Sequence, residues 1–184
     1  MLRRTTTVLS LIGIALILAT AGLAMAADET IWDVKVIHPN GELLDVKAVA
    51  SDGTLYDVKA IEDEDNPHFL DVKAFVDGTP HDVKVVDSKD RYAPVMALGI
   101  HGTNLEIKAL NAEGKQYDVK GIRQSGNIID IRAIGFAKFY PLEAIAPDGR
   151  IYEVKGVKMM KQRIELVIGA TQVHAHVKAF PPVP

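Results

Sequence analysis

Residues 32–37 have the sequence WDVKVI, residues 44–49 have LDVKAV and residues 56–61 have YDVKAI. The shared phrase is an apolar residue, an acid, a branched aliphatic residue, a base and a small or apolar residue; we call its central places the acid, valine and base positions. Aligned on the base, the phrase recurs thirteen times, at positions 35, 47, 59, 73, 84, 96, 108, 120, 132, 143, 155, 167 and 178. The valine position holds Val, Ile or Leu in every copy, and the acid and the base are each kept in ten copies. Such regularity indicates a repeat architecture.

Each copy is too short for a helix and alternates apolar and polar residues with a period of two, which is typical of a β-strand. The connectors carry turn residues, as in the Pro-Asn-Gly of residues 39–41 and the Pro-Asp-Gly of residues 147–149. Connectors this short can join only antiparallel strands, because a parallel crossover needs a dozen or more residues. We therefore predict an all-β fold, an antiparallel meander of about thirteen short strands.

The loops also predict the register of the strands. A three-residue loop at residues 39–41, with the glycine in the left-handed conformation, closes a hairpin in which His38 faces Glu42. Lys35 then lies opposite Asp45. The spacing of 11 between two later copies predicts instead a two-residue type I′ turn at Asp77-Gly78.

Extended along the first hairpin, the same arithmetic places Asp33 opposite Lys47. Applied to every spacing of 12, it places Ile122 opposite Ile128. The valine positions then share one apolar face, and the acids and bases form rows of alternating charge on the other. Each opposed pair contributes roughly 0.2–1 kcal/mol, so these rows specify the pairing more than they stabilise it.

Pro94 and Pro141 occupy the acid position of their copies, where a missing N–H is tolerated mainly at edges and bends. They divide the copies into groups of five, four and four. This grouping favours a flattened barrel or a two-sheet sandwich, and a three-sheet prism or minimal propeller is the alternative.

Residues 1–26 have the features of a secretory signal peptide: two arginines, a long apolar run and Ala-Met-Ala at the end. We predict cleavage before Ala27, a single β-repeat domain over residues 27–184, and a secreted or periplasmic location. An uncleaved membrane anchor is the alternative, because the apolar run approaches the length of a spanning helix.

The chain has 184 residues, of which 48% are hydrophobic and 24% charged, with a net charge of −3 and no cysteine. This composition excludes disulfides and thiolate metal sites, and it gives no basic footprint for nucleic acid. The sequence contains no recognised catalytic motif, and its acids and bases are repeated and mutually neutralised. We therefore predict neither an enzyme nor a bound cofactor.

Two groups of residues are candidate metal ligands. His174 and His176 alternate on the last copy, and Glu165 lies on the copy before it, a set that suits zinc or copper. Asp63 and Asp65 offer carboxylate oxygens for calcium in an acidic connector. A decayed terminal repeat and a solvated loop are the simpler interpretations of these two groups.

These features predict a non-enzymatic β-repeat protein of the cell envelope, acting as a binding module or a scaffold. The expected partners are cell-surface, glycan or protein components, and binding is expected on the irregular strands 6, 10 and 12 or on the loops. A small-ligand, glycan or metal-binding carrier is the alternative, and a membrane-inserted barrel is a weaker one because the strands are short. We expect no stable membrane insertion. Self-association through exposed edge strands is a further possibility.

Overall fold

The computed structural model describes residues 31–63, 66–122, 126–135, 138–158 and 167–182. The predicted signal peptide lies outside these ranges. The described residues form thirteen strands and no helix, and every strand pair is antiparallel, which confirms the predicted fold class. The strands are β1 (Ile31–Ile37), β2 (Leu43–Val49), β3 (Leu55–Asp63), β4 (Asn66–Val76), β5 (Thr79–Val86), β6 (Tyr92–Leu98), β7 (Asn104–Leu110), β8 (Gln116–Ile122), β9 (Ile128–Gly135), β10 (Lys138–Ile145), β11 (Ile151–Lys158), β12 (Val167–Ile168) and β13 (Thr171–Phe180).

The hairpin loops have the predicted geometry. In the β1–β2 loop the N–H of His38 donates to the carbonyl of Glu42 at 2.9 Å, and Gly41 has a φ of 87°. In the β4–β5 turn Asp77 and Gly78 have φ values of 50° and 80°. Positive φ at both central residues defines a type I′ turn, so both predicted closures are confirmed.

The first three strands pair in a closed trio. The C-terminal half of β1 pairs with β2, the C-terminal half of β2 pairs with β3, and the C-terminal half of β3 returns to the N-terminal half of β1. We call such a trio a triangle. The opposed acid–base pairs of the first triangle are Lys35–Asp45, Lys47–Asp57 and Lys59–Asp33, each joined by a hydrogen bond.

The predicted register is therefore correct for half of each strand. Lys35 lies opposite Asp45 as expected, but the prediction that Asp33 faces Lys47 is wrong, because Asp33 faces Lys59. The β1–β2 ladder covers only three residue pairs before the strands diverge. Neighbouring strands twist relative to one another, and over residues 31–33 the same edge of β1 pairs with β3 instead.

All described strands except the short β12 form one closed shell, and the nine shell strands outside the first triangle form three more triangles. The second contains β4, β5 and β13, the third β6, β7 and β8, and the fourth β9, β10 and β11. Six other pairs, which we call links, join every triangle to every other: β1–β10, β2–β7, β3–β4, β5–β6, β8–β9 and β11–β13. This is the connectivity of a tetrahedron. The sheet closes as a flattened barrel, and not evenly round one axis as a prism or propeller would.

Links and triangles use different registers. In a triangle the base position of one strand faces the acid position of the next, whereas in a link two base positions face each other, as Lys59 faces Lys73 and Lys120 faces Arg132. The prediction that Ile122 faces Ile128 is wrong for this reason, because β8–β9 is a link and Ile122 faces Asp130 instead. A spacing of 12 between base positions fits both the triangle and the link register. The last pair of the β1–β2 hairpin is Ile37–Leu43, whereas that of β8–β9 is Ile122–Asp130, so the connection between the last paired residues is two residues longer in the link.

The apolar face forms the interior of the shell. The aliphatic residues at the valine position are all buried in the twelve shell strands: Val34, Val46, Val58, Val72, Val83, Val95, Ile107, Val119, Ile131, Leu142, Val154 and Val177. Small residues follow the base because the opposite walls meet closely. A Cβ at Gly156 would lie 3.1 Å from Ile129 and 3.2 Å from Val85. The predicted separation of an apolar face from a charged face is confirmed.

In the described part of the chain, each of the twelve shell strands has neighbours along both edges. Strand β13 completes the second triangle and pairs with β11, so the end of the chain closes the shell. The two-residue β12 pairs only with β13. The open meander that motivated the expectation of self-association is therefore not observed. None of the described segments is a helix long and apolar enough to span a bilayer.

Candidate functional site

The two proline interruptions of the repeat act on the same pair of strands. Pro94 lies opposite Lys120 in the third triangle, and Pro141 lies opposite Arg132 in the fourth. Lys120 and Arg132 face each other in the β8–β9 link that joins these triangles. The two cations whose cross-strand acid is replaced by proline are thus direct neighbours on the outside of the shell.

An aromatic residue accompanies each proline. Residues 91–94 are Arg-Tyr-Ala-Pro and residues 138–141 are Lys-Phe-Tyr-Pro, so the two interruptions share a base, an aromatic residue and a proline at the same spacing. The pairing relates them by a local two-fold axis between Lys120 and Arg132. The rings of Tyr92 and Phe139 have centroids 5.7 Å apart, and the Arg91 guanidinium lies 5.5 Å from the Tyr92 ring.

The strands that carry these two rings flank the β8–β9 link on opposite sides, and both rings have the parity of the outer face. The ring contact therefore reaches across the outer face of the link. Phe139 is 44% exposed. We call the surface formed by Tyr92, Pro94, Lys120, Arg132, Phe139 and Pro141 the basic–aromatic face.

Lys120 has a distant carboxylate neighbour on its own strand. Its Nζ lies 4.0 Å from an oxygen of Asp118, whereas Lys108 donates a 2.7 Å hydrogen bond to that carboxylate. The hydrogen bond from Lys108 lowers the pKa of Asp118, so the carboxylate remains charged and engaged with β7. Among the described residues, no carboxylate lies within hydrogen-bonding distance of the Lys120 Nζ to compete with an anion from solvent.

Arg132 has a closer carboxylate on its own strand. Its guanidinium donates a 3.3 Å hydrogen bond to Asp130, which also accepts a 2.9 Å hydrogen bond from Lys155 of β11. Burial acts to raise the pKa of Asp130, but the hydrogen bond and charge of Lys155 lower it overall. Asp130 thus shares its charge between Arg132 and other groups that include Lys155, and the planar guanidinium has further N–H donors to offer.

Glu143 stands at the base position two residues after Pro141. It faces Lys35 in the β1–β10 link and Glu153 in the fourth triangle. Burial, and then the negative charge of Glu153, raises the pKa of Glu143 to about 7. This carboxyl therefore changes its charge near neutrality, close to the edge of the basic–aromatic face.

The second triangle contains another departure from the repeat. His176 takes the acid position, and the Nζ of Lys84 donates to its Nδ1. Lys84 is 5% exposed and lies 2.9 Å from Asp82. Burial, and then the positive charges of Lys84 and Lys178, lower the pKa of His176 to about 4, which fits a neutral imidazole that accepts this hydrogen bond.

The predicted histidine pair is divided between two environments. The Nδ1 of His174 lies 3.8 Å from Asp87, whereas His176 contacts Lys84. A register shift at residues 173–175 separates the two pairings of β13. The histidines therefore have different neighbours in the described structure.

The structure gives little information on the other predicted metal ligands, Glu165, Asp63 and Asp65. Glu165 and Asp65 lie outside the described residues, and of Asp63 only its place at the end of β3 is described. Within the described ranges, no three His, Cys, Asp or Glu residues come together in a way that could hold a metal ion. Both metal sites stay predictions.

A cavity of about 620 Å³ lies elsewhere, between the β4–β5 hairpin, the β6–β7 loop and β12. Its lining includes His81, His101 and the highly exposed Ile100. The His81 ring packs against Gly99, where a Cβ would lie 2.8 Å from the ring. This cavity and the basic–aromatic face lie on different strand pairs.

The predicted binding strands include β6 and β10 but not the strands of Lys120 and Arg132, which belong to regular copies of the repeat. The available signal was the shared aromatic-x-proline pattern of residues 92–94 and 139–141. It acquires meaning only when the strands opposite the prolines are known.

A family model described as "Family of unknown function (DUF7486)" matches residues 28–180. No curated protein matches the chain, and no solved structure matches its fold.

Proposed function

The chain belongs to this family of unknown function (DUF7486), whose match covers most of its length, and we propose that it is an exported, non-enzymatic binding module. Its proposed binding surface is the basic–aromatic face, and the group bound there is an anion. The observation that carries the proposal is the direct opposition of Lys120 and Arg132, each facing a proline where the repeat supplies an acid.

The contrast with the first triangle supports a binding role for this face. There, each of the three lysines has its own cross-strand aspartate, so the charges are satisfied within the shell. An arrangement that only held strands together would not need a proline in place of the acid on β6 and on β10. Arg and Lys side chains form strong charge-assisted hydrogen bonds with carboxylate, sulfate or phosphate groups.

The proposed absence of catalysis rests on the surroundings of the perturbed groups. Glu143 and His176 have shifted pKa values, which is a feature of many active sites. Each, however, faces charged partners within a strand ladder, and neither lines the 620 Å³ cavity. The proposed export follows from the features of residues 1–26, and it places the partner among cell-surface, glycan or protein components of the envelope.

The first experiment uses inorganic sulfate as the probe, with ¹H–¹⁵N spectra of the protein titrated at constant ionic strength against chloride. We expect saturable shifts centred on residues 92–93, 118–122, 130–134 and 139–140, since Pro94 and Pro141 have no N–H to observe. The double variant K120Q/R132Q is expected to bind sulfate at least about tenfold more weakly, since each lost charge-assisted hydrogen bond exceeds about 1 kcal/mol.

The matched control is Lys47→Gln, which removes a lysine whose aspartate is present. This variant should bind sulfate as the unaltered protein does. The proposal is overturned if no saturable shift occurs on this face, or if K120Q/R132Q responds like the K47Q control.

A further inference from the structure

The basic–aromatic face offers more than charge. Tyr92 and Phe139 present ring surface beside the cation pair, and the two rings contact each other rather than packing into the core. An inorganic anion needs only the cations. A ligand that also uses the rings must carry a flat, weakly polar face next to its acidic group.

The carboxylates around the cations restrict the ligand further. Asp118 lies beside Lys120, Asp130 beside Arg132, and Glu143 follows Pro141. Dense negative charge, as in a polyphosphate or nucleic acid backbone, would be repelled by these groups. Hydroxyl groups, in contrast, can donate hydrogen bonds to carboxylate oxygens.

The local two-fold relation gives the face two equivalent halves, each with one ring, one proline and one cation. A ligand with repeated units can occupy both halves at once, and the second contact is then effectively intramolecular. A single unit can occupy only one.

From these features we infer that the ligand is an acidic oligosaccharide, in which sugar rings stack on Tyr92 and Phe139 while carboxylates bind Lys120 and Arg132. This inference rests on the proposed function, because it specifies the ligand of the same face. The sugar ring of such a ligand would stack on the aromatic rings, its carboxylate would bind the cations, and its hydroxyls would donate to the neighbouring protein carboxylates.

The test compares trigalacturonate, monomeric galacturonate, neutral maltotriose and inorganic sulfate by isothermal titration calorimetry. We expect trigalacturonate to bind at least about tenfold more tightly than either the monomer or sulfate, and maltotriose to bind most weakly. Tyr92→Ala and Phe139→Ala should each weaken trigalacturonate binding severalfold and leave sulfate binding unchanged.

Phe69→Ala provides the matched control. Phe69 also contacts another ring, that of Phe180 at 5.5 Å, and lies beside Lys178, but that lysine is hydrogen-bonded to Asp71. Loss of Phe69 should not change trigalacturonate binding, and thermal melts of all three aromatic variants check that they remain folded.

The two proposals fail in different ways. If sulfate and trigalacturonate bind equally and the aromatic variants change neither affinity, the oligosaccharide inference is overturned and anion binding stands. Tighter binding of an acidic peptide or a nucleic acid than of trigalacturonate would also overturn it. If K120Q/R132Q binds all four probes like the unaltered protein, both proposals are overturned.

Discussion

The first and second triangles are built from the same phrase but differ in how they are assembled. The first uses three consecutive strands, and each of its lysines contacts an aspartate. The second combines β4 and β5 with β13 from the end of the chain, and one of its contacts is Lys84 to His176. The Lys84 side chain is 7% exposed, against 26% for Lys47 in the first triangle.

The difference shows that the same kind of contact contributes differently to stability in the two triangles, according to how far its lysine is exposed to water. Exposed ion pairs are worth little because water and salt screen them, so the first triangle mainly fixes which strands meet. In the second triangle Lys84 is buried, so the stability of the shell depends on the contact that Asp82 makes with its charge. Three experiments test this contrast.

The largest effect should come from removing β13. Deletion of residues 171–184 removes one paired strand from each of β4, β5 and β11 and opens the second triangle. We expect the cooperative thermal transition, followed by circular dichroism, to disappear. Deletion of residues 181–184 alone should preserve it, and a cooperative transition in the longer deletion would show that closure by β13 is not required.

A smaller effect should distinguish the buried lysine from its exposed counterpart. Lys84→Ala removes the buried donor to His176 and one of the two lysines that contact Asp82, which keeps Lys73. We expect a loss of about 2–3 kcal/mol in urea-measured unfolding free energy. Lys47→Ala breaks an exposed pair and should cost less than about 1 kcal/mol.

Lys84→Met keeps most of the aliphatic chain, so it separates lost packing from lost charge. It should recover part of the loss seen with alanine. Equal losses at Lys84 and Lys47 would contradict the proposed contrast between the two triangles.

The smallest effect should appear in the pH dependence of stability. His176 has a pKa of about 4 in the folded protein, below its ordinary value of 6.5, so between these values the unfolded chain binds more protons. Stability due to this group is therefore present above pH 6.5 and is lost as the pH falls towards 4. After allowing for its partial exposure, we expect a loss of about 1–2 kcal/mol.

His176→Asp restores the acid of the repeat opposite Lys84 and should remove this dependence between pH 6.5 and 4. Glu143 has the opposite effect because its pKa is raised to about 7. The protein loses the stability due to this group as the pH rises from 4.5 to 7. Because Glu143 is present in both proteins, the difference between their urea-unfolding curves isolates His176. Parallel curves would exclude this role for His176.

The local features could be predicted from the sequence because their causes are local. Alternation of period two separated the core face from the charged face, and glycine at position 41 and Asp77-Gly78 specified their turns. The opposition of Lys35 and Asp45 followed from the loop length alone.

The candidate site could be predicted only in part. Pro94 and Pro141 identified the irregular strands, but nothing near Lys120 or Arg132 in the sequence marks these residues as different from other bases of the repeat. Their distinction depends on which strand lies opposite each of them, and a spacing of 12 allows either the triangle or the link register.

The sequence by itself determined the strands, the turns at residues 39–41 and 77–78, and the apolar and charged faces, because these depend on side-chain alternation and on the backbone preferences of a few turn residues. Only the tertiary structure decided which halves of the strands form triangles and which form links. That choice depends on closing the shell around a shared apolar interior, and it is this closure that brings two distant prolines, two aromatic rings and two cations onto one face.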